Sequence, residues 1–179
     1  MDVNDAVALI REAVGNGSGI WADLGAGTGT FTRALALLLD AGNTIYAVDD
    51  DANAVAALRG LAATSPTRII PVRADLTRPL ELPGLGDQLL DGMLFANSLH
   101  FVPNAERVLI ELARRARVGG RVIVVEYGRR APSRWVPFPI QASHWPQLAA
   151  SAGLTDAAVT ATRPSAYAGV LYVGVATRA

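Results

Sequence analysis

The sequence predicts a doubly wound α/β fold, a mostly parallel sheet covered by helices on both faces. Three observations point there. Short apolar runs alternate with helix-period segments along the chain, the rhythm of strand–helix–strand crossovers. A turn with glycine at alternate positions, Gly25, Gly27 and Gly29, joins the first apolar run to the next helix, where sheets of this class bind ligands. The length of 179 residues, 51% of them hydrophobic and 18% charged, suits one core, so residues 1–179 are expected to form a single domain.

Taken in order, residues 2 to 14 read as a helix and Ile20 to Leu24 as a short buried strand. Thr30 to Leu39 is helical and is ended by Gly42 and Asn43. The second strand, Thr44 to Val48, runs into three aspartates, of which Asp50 is placed to cap the helix Ala52 to Ala62. The third strand, Arg68 to Ala74, contains Pro71, which cannot donate to a ladder and so predicts a sheet edge. A fourth strand, Gly92 to Ala96, leads through Asn97 to His100 into a helix opened by Pro103. That helix buries Ala105, Val108 or Leu109, Leu112 and Ala116, and Gly119 and Gly120 end it. The fifth strand, Arg121 to Glu126, is nearly all Val and Ile, as a central strand should be. An irregular stretch from Gly128 to Ile140 carries three prolines and two aromatic residues. A helix from Gln141 to Ala152 follows. Asp156 to Thr162 and Gly169 to Thr177 then close the chain as an antiparallel hairpin at the far edge, for seven strands in all.

Composition excludes several chemistries. There is no cysteine, hence no disulfide, thiolate nucleophile or cysteine metal site. All 16 basic residues are arginine, which removes lysine Schiff-base chemistry. The formal net charge of zero supplies no basic face for nucleic acid, which is not an expected partner. The start, MDVNDAVALIREAVG, lacks a cationic region ahead of an apolar one, and no apolar run is long enough to span a bilayer. A cytoplasmic location without membrane contact is the resulting expectation.

The chemistry is expected at the glycine turn. Alternate glycines permit both a tight bend and close approach of a ligand to the main chain. A dinucleotide fingerprint would place its third glycine at position 30, which is Thr30 here, and Asp23 would repel a pyrophosphate while welcoming a cation. No Gly-Lys-Ser/Thr phosphate loop exists without lysine. Twenty positions after Gly29, Asp49 ends the second strand where a carboxylate reaches ribose hydroxyls.

The run Asp23-x-Gly25-x-Gly27-x-Gly29 resembles the first motif of class I S-adenosylmethionine-dependent methyltransferases. The resemblance covers about residue 18 to residue 127. It implies the Rossmann-like methyltransferase fold, S-adenosylmethionine as cofactor, and cofactor contacts from Asp23, Gly25, Ala26, Gly27 and Gly29. Asp49 would take the ribose, with Asp50 beside the adenine; helix capping is the other reading of Asp50 and Asp51. Ala74-Asp75-Leu76 resembles the adenine-recognition position, a turn aspartate being the alternative. Asn97-Ser98-Leu99-His100 would lie against the methionine moiety and begin the substrate pocket.

Methyl transfer from a sulfonium mainly needs an acceptor held in line, so a base is optional. If a proton must leave, His100 is the candidate base, with a packing histidine as the bland alternative. Tyr127 and Glu126 end the fifth strand on the same rim, and Glu126 could equally pair with Arg129 or Arg130. Trp135 and Phe138 could form an apolar substrate wall, whereas Trp145 reads as a core anchor and His144 as a surface residue. The Asn/Asp-Pro-Pro-Tyr/Phe motif of nucleobase amine methylation and the double-glutamate loop of protein arginine methylation are both missing. So is an acid cluster for a divalent metal, and no metal is expected.

Of two arginine groups, Arg114, Arg115 and Arg117 read as a solvated face; Arg129, Arg130 and Arg134 could greet an anionic substrate or RNA. The expected function is methylation of a small-molecule acceptor. Its rivals are a non-catalytic S-adenosylmethionine-binding sensor or partner subunit, and an NAD(P)-binding oxidoreductase. The pocket either stands open or is covered by a second copy in a homodimer.

Overall fold

The computed structural model describes residues 1–39, 42–128, 130–165 and 169–179. In chain order it contains α1 (Val3–Val14), β1 (Ile20–Leu24), α2 (Thr30–Leu38), β2 (Thr44–Asp49), α3 (Ala52–Thr64) and β3 (Arg68–Arg73). Then come β4 (Leu90–Ala96), α4 (Ala105–Ala113), β5 (Ala116–Tyr127), α5 (Trp145–Ser151), β6 (Leu154–Pro164) and β7 (Val170–Arg178). The seven strands form one sheet in the order β3-β2-β1-β4-β5-β7-β6. The first five pair in parallel, and β7 runs antiparallel to both β5 and β6. No helix among the described residues is long and apolar enough to cross a membrane.

Because strand side chains alternate, the central strands feed two apolar layers. Ile45 and Ala47 pack with α1, α2 and α3 on one face; Tyr46 and Val48 pack with α4 and α5 on the other. Helix α1 buries Ala6, Leu9, Ile10, Ala13 and Val14, a stripe at helical spacing. Each large side chain of that stripe contributes about 1.5–3 kcal/mol. Its Asp2 cap contributes about 1 kcal/mol, so packing decides where the helix lies. After β3 the chain recrosses the sheet through residues 74–89, which form turns without a helix. Leu80, Leu82 and Leu85 bury that crossing, and the Tyr46 hydroxyl donates to the Pro83 carbonyl at 2.9 Å. Strand order therefore reverses between β1 and β4, opening a crevice beyond Leu24 and Ala96.

Pro71 does lie on an edge strand, and the closing hairpin does lie at the far edge. Its expected connection, Arg163 to Ala168, falls partly outside the described residues. Three local expectations need correction. The cap of α3 is Asp51 rather than Asp50, its carboxylate accepting from the Asn53 and Ala54 amides at 2.8 Å. Helix α4 is opened by Asn104 rather than Pro103: the Asn104 side chain accepts from the Arg107 amide at 3.1 Å. The same helix stops at Ala113, and Ala116 belongs to β5, paired with Leu90. Residues 117–120 loop out of the ladder before pairing resumes at Gly92–Arg121. Gly119 and Gly120 thus make a bulge, a role that glycine pairs share with helix termination and that composition alone does not separate.

Candidate active site

The glycine turn is stitched to its neighbours by main-chain contacts. Gly25 and Ala26 both donate to the Val48 carbonyl, at 2.8 and 2.9 Å, which ties the turn to β2. Gly25 has φ +83°, and a Cβ there would lie 2.2 Å from the Ser98 Cβ, so only glycine fits. Ser98 returns a hydrogen bond from its hydroxyl to the Leu24 carbonyl at 2.6 Å. At Gly27 an added Cβ would meet nothing within 4 Å, because this residue borders open space. At Gly29 a Cβ would press on Leu61 and Leu58 of α3 at 2.9 and 3.0 Å, so close packing of turn against helix requires glycine there.

Two cavities flank the turn. The first, of about 720 Å³, is lined by Asp23, Gly25, Ala26, Gly27 and Asn97 together with the Asp5–Arg163 pair, whose N···O distance is 2.7 Å. Asp23 is fully buried, and its Oδ2 accepts from the Thr32 hydroxyl at 2.6 Å. Burial pushes its carboxyl up to about 7; the Thr32 hydrogen bond opposes that rise and the charge of Asp49 adds to it. Asp23 Oδ1 and Asn97 Oδ1 are both buried without a partner among the described residues. Asn97 also has φ +54°, a left-handed conformation that costs a non-glycine residue about 1–3 kcal/mol and often marks a functional position. Two unmatched acceptor oxygens on one cavity wall suit a cationic ligand group.

The second cavity, of about 480 Å³, shares Gly25, Gly27 and Asn97 with the first and adds Asp49, Asp50, Asp75 and Leu76. Asp49 accepts from the Gly27 amide at 2.7 Å and from the Asp51 amide at 3.0 Å, leaving further lone pairs on each oxygen. Asp75 accepts from the Thr77 amide and hydroxyl at 2.8 and 2.7 Å, and these bonds hold its carboxyl below the usual range. It therefore both holds a turn and borders the cleft. Carboxylates line both cavities, no arginine among the described residues borders the second, and Arg163 of the first is already paired. A nucleoside with a cationic tail fits this charge pattern; a pyrophosphate does not.

A third cavity, of about 540 Å³, opens from Asn97 toward His100, Phe101, Tyr127, Arg130 and Trp135. Ala96 is level with Val125 in the β4–β5 ladder, so residues that follow the two strands emerge side by side. His100, in the single turn Leu99–Phe101, and Glu126, near the end of β5, meet there. Both are buried, with Nδ1 and Oε2 2.5 Å apart. The His100 amide donates to the other carboxylate oxygen at 3.2 Å. With both carboxylate oxygens engaged as acceptors, the proton belongs on Nδ1 and the lone pair on Nε2. Burial raises the Glu126 carboxyl above its usual value, opposed by its bonds to His100.

Glu126 therefore pairs with His100 and not with Arg130, and Arg129 lies outside the described residues. The sequence signal was an acid and a histidine at the ends of two adjacent strands, readable only once strand order is known. The Phe138 amide donates to the His100 carbonyl at 3.0 Å, which anchors the irregular stretch after β5 over this site. Trp135 projects at its tip, whereas Phe138 lines a neighbouring groove. Trp145 is a core anchor, its indole donating to the Val175 carbonyl at 3.2 Å, and His144 is exposed. No group of three or more His, Asp or Glu side chains converges as a metal site among the described residues.

The model of a family described as "Methyltransferase domain" matches residues 22–124. No curated protein matches the chain. Solved structures do: a SAM dependent methyltransferase from Aquifex aeolicus superposes with a TM-score of 0.72 at 15% identity, covering 100% of both chains. The arsenic(III) S-adenosylmethionine methyltransferase of Chlamydomonas reinhardtii gives 0.72 at 17%, over 97% of this chain and 71% of that one. The mitomycin 7-O-methyltransferase gives 0.70 at 17% over 99% of this chain, which spans only 54% of that enzyme. At such identities these likenesses establish the shared fold.

Proposed function

The chain belongs to the methyltransferase-domain family, and from that premise we propose that it methylates a small-molecule acceptor, with His100 as general base and S-adenosylmethionine as methyl donor. The carrying observation is that Asn97 borders all three cavities, so the cleft for a charged nucleoside and the cavity holding His100 open onto one point. When bound, S-adenosylmethionine supplies an electrophilic methyl group on a sulfonium. Asp23 and Asn97, whose Oδ1 atoms lack partners among the described residues, would hold its ammonium, Asp49 would take the ribose hydroxyls, and Asp50, Asp75 and Leu76 would border the adenine. His100 Nε2 takes the proton that the acceptor loses, and Glu126 orients the ring and stabilises the imidazolium that results. Tyr127 and Trp135 flank the acceptor.

A cofactor sensor has no need of a buried histidine–carboxylate pair at the mouth of a second cavity, which favours turnover. The carboxylate-lined cleft disfavours NAD(P). Calorimetric titration with S-adenosylmethionine, S-adenosylhomocysteine and NAD tests the cofactor: the first two should bind and NAD should not. Transfer of labelled methyl to a panel of phenols, enols and amines tests the reaction. Failure to bind either sulfur nucleoside at millimolar concentration sinks the reading.

A further inference from the structure

Arg130 borders the His100 cavity with its guanidinium 4.7 Å above the Tyr127 ring, and no carboxylate pairs with it among the described residues. The arginine of the cavity beside the glycine turn, by contrast, is matched: Arg163 pairs with Asp5 at 2.7 Å. Among the described residues no acid lines this cavity, and Glu126, next to Tyr127 in the chain, is buried and engaged by His100. A half-buried cation stacked on an aromatic face, with its fork of donors unspent, is a site for a planar anion. The rest of the cavity agrees. Phe101 and Trp135 are large aromatic residues left 53% and 63% exposed, and with Tyr127 they offer flat apolar surfaces around the same space. About 540 Å³ is room for a ring-sized molecule.

Resting on the methyltransferase reading, we propose that the acceptor is a planar carboxylate whose anionic end is gripped by Arg130 while its acidic X–H faces His100 Nε2. Arg130 is then the residue that sets acceptor specificity. Arg134 is not part of this grip: it stacks on Trp135 at 4.3 Å and does not border the cavity.

The test uses Trp135 as reporter, because Trp21 and Trp145 are buried and shielded from ligand. Protein saturated with S-adenosylhomocysteine is titrated with 2-, 3- and 4-hydroxybenzoate and with their methyl esters, following tryptophan fluorescence. The acids should bind roughly ten- to a hundredfold more tightly than the esters, the span of one charge-assisted pair. Arg130→Gln should erase that preference, Arg130→Lys should restore part of it, and Arg134→Gln should leave it intact. Acids and esters binding alike, or a preference that survives Arg130→Gln, overturns the proposal. Methyl transfer measured on the same compounds separates the two readings. An Arg130-dependent preference without any transfer sinks the acceptor assignment but supports the anion site. Transfer with equal KM for acids and esters sinks the anion site alone.

Discussion

The two halves of the cleft are built by different means. The cofactor half, from Asp23 to Leu76, is shaped by main chain: a glycine turn laced to Val48, aspartates taking amides after β2 and β3, and glycines where side chains would collide. The half around His100, proposed to take the acceptor, is shaped by side chains that meet across the sheet. His100 and Glu126 are 26 residues apart, one in the turn after β4 and the other on β5, and Trp135 and Arg130 come from an irregular loop. Local backbone geometry is written in short motifs. Meetings across a ladder depend on which strands are neighbours.

That contrast can be broken by substitution. The largest effect is expected at His100: His100→Ala should lower kcat by about 10²–10⁴-fold, the worth of a positioned base, while S-adenosylhomocysteine affinity measured by calorimetry is retained. Equal turnover would remove the base and leave positioning alone. Next comes Gly25→Ala, which combines left-handed strain with a clash at 2.2 Å and should cost about 2–5 kcal/mol in urea unfolding. Gly27→Ala has no neighbour to strike, so it should cost less stability yet still weaken cofactor binding, separating fold from cleft within one turn.

On the acceptor side, Glu126→Gln should slow turnover roughly tenfold and reshape its pH profile, because the imidazolium loses a charge-assisted partner. Partial recovery in Glu126→Asp would mark Glu126 as a positioning residue and not merely a packing one. A smaller, graded effect belongs to Asp23. Its folded value of about 7 lies above the ordinary carboxyl value, so its contribution to stability is present below about pH 4 and is lost as pH rises through 7. Binding of a cationic tail favours the ionised form, so S-adenosylhomocysteine affinity should fall about fivefold from pH 7 to pH 6. Asp23→Asn should remove both slopes, and a retained slope assigns it to another group. The smallest change is expected from Asp75→Ala, no more than about 1 kcal/mol in cofactor binding, since that carboxylate is already spent on Thr77.

Legibility in the sequence follows the same division. Pro71 marks an edge strand because a missing donor is a local fact, and Asp49 is found by its distance from the glycine turn. Misreadings arose where one residue type serves two local structures. Gly119 and Gly120 end helices as readily as they form bulges, and neighbouring aspartates compete for one cap until backbone angles select Asp51. Gly29 shares the motif with Gly25 and Gly27, and the neighbours a Cβ there would meet are Leu61 and Leu58 of α3.

By itself, the sequence determined the alternation of strands and helices, the glycine turn and the carboxylates along the cofactor cleft, because each rests on contacts within a few residues. Only the tertiary structure decided that Glu126 belongs to His100, that Asn97 stands where three cavities join, and that Arg130 borders the His100 cavity with no carboxylate partner among the described residues. The reason is strand order: pairing β4 with β5 brings two rim segments together, and no short motif records that adjacency.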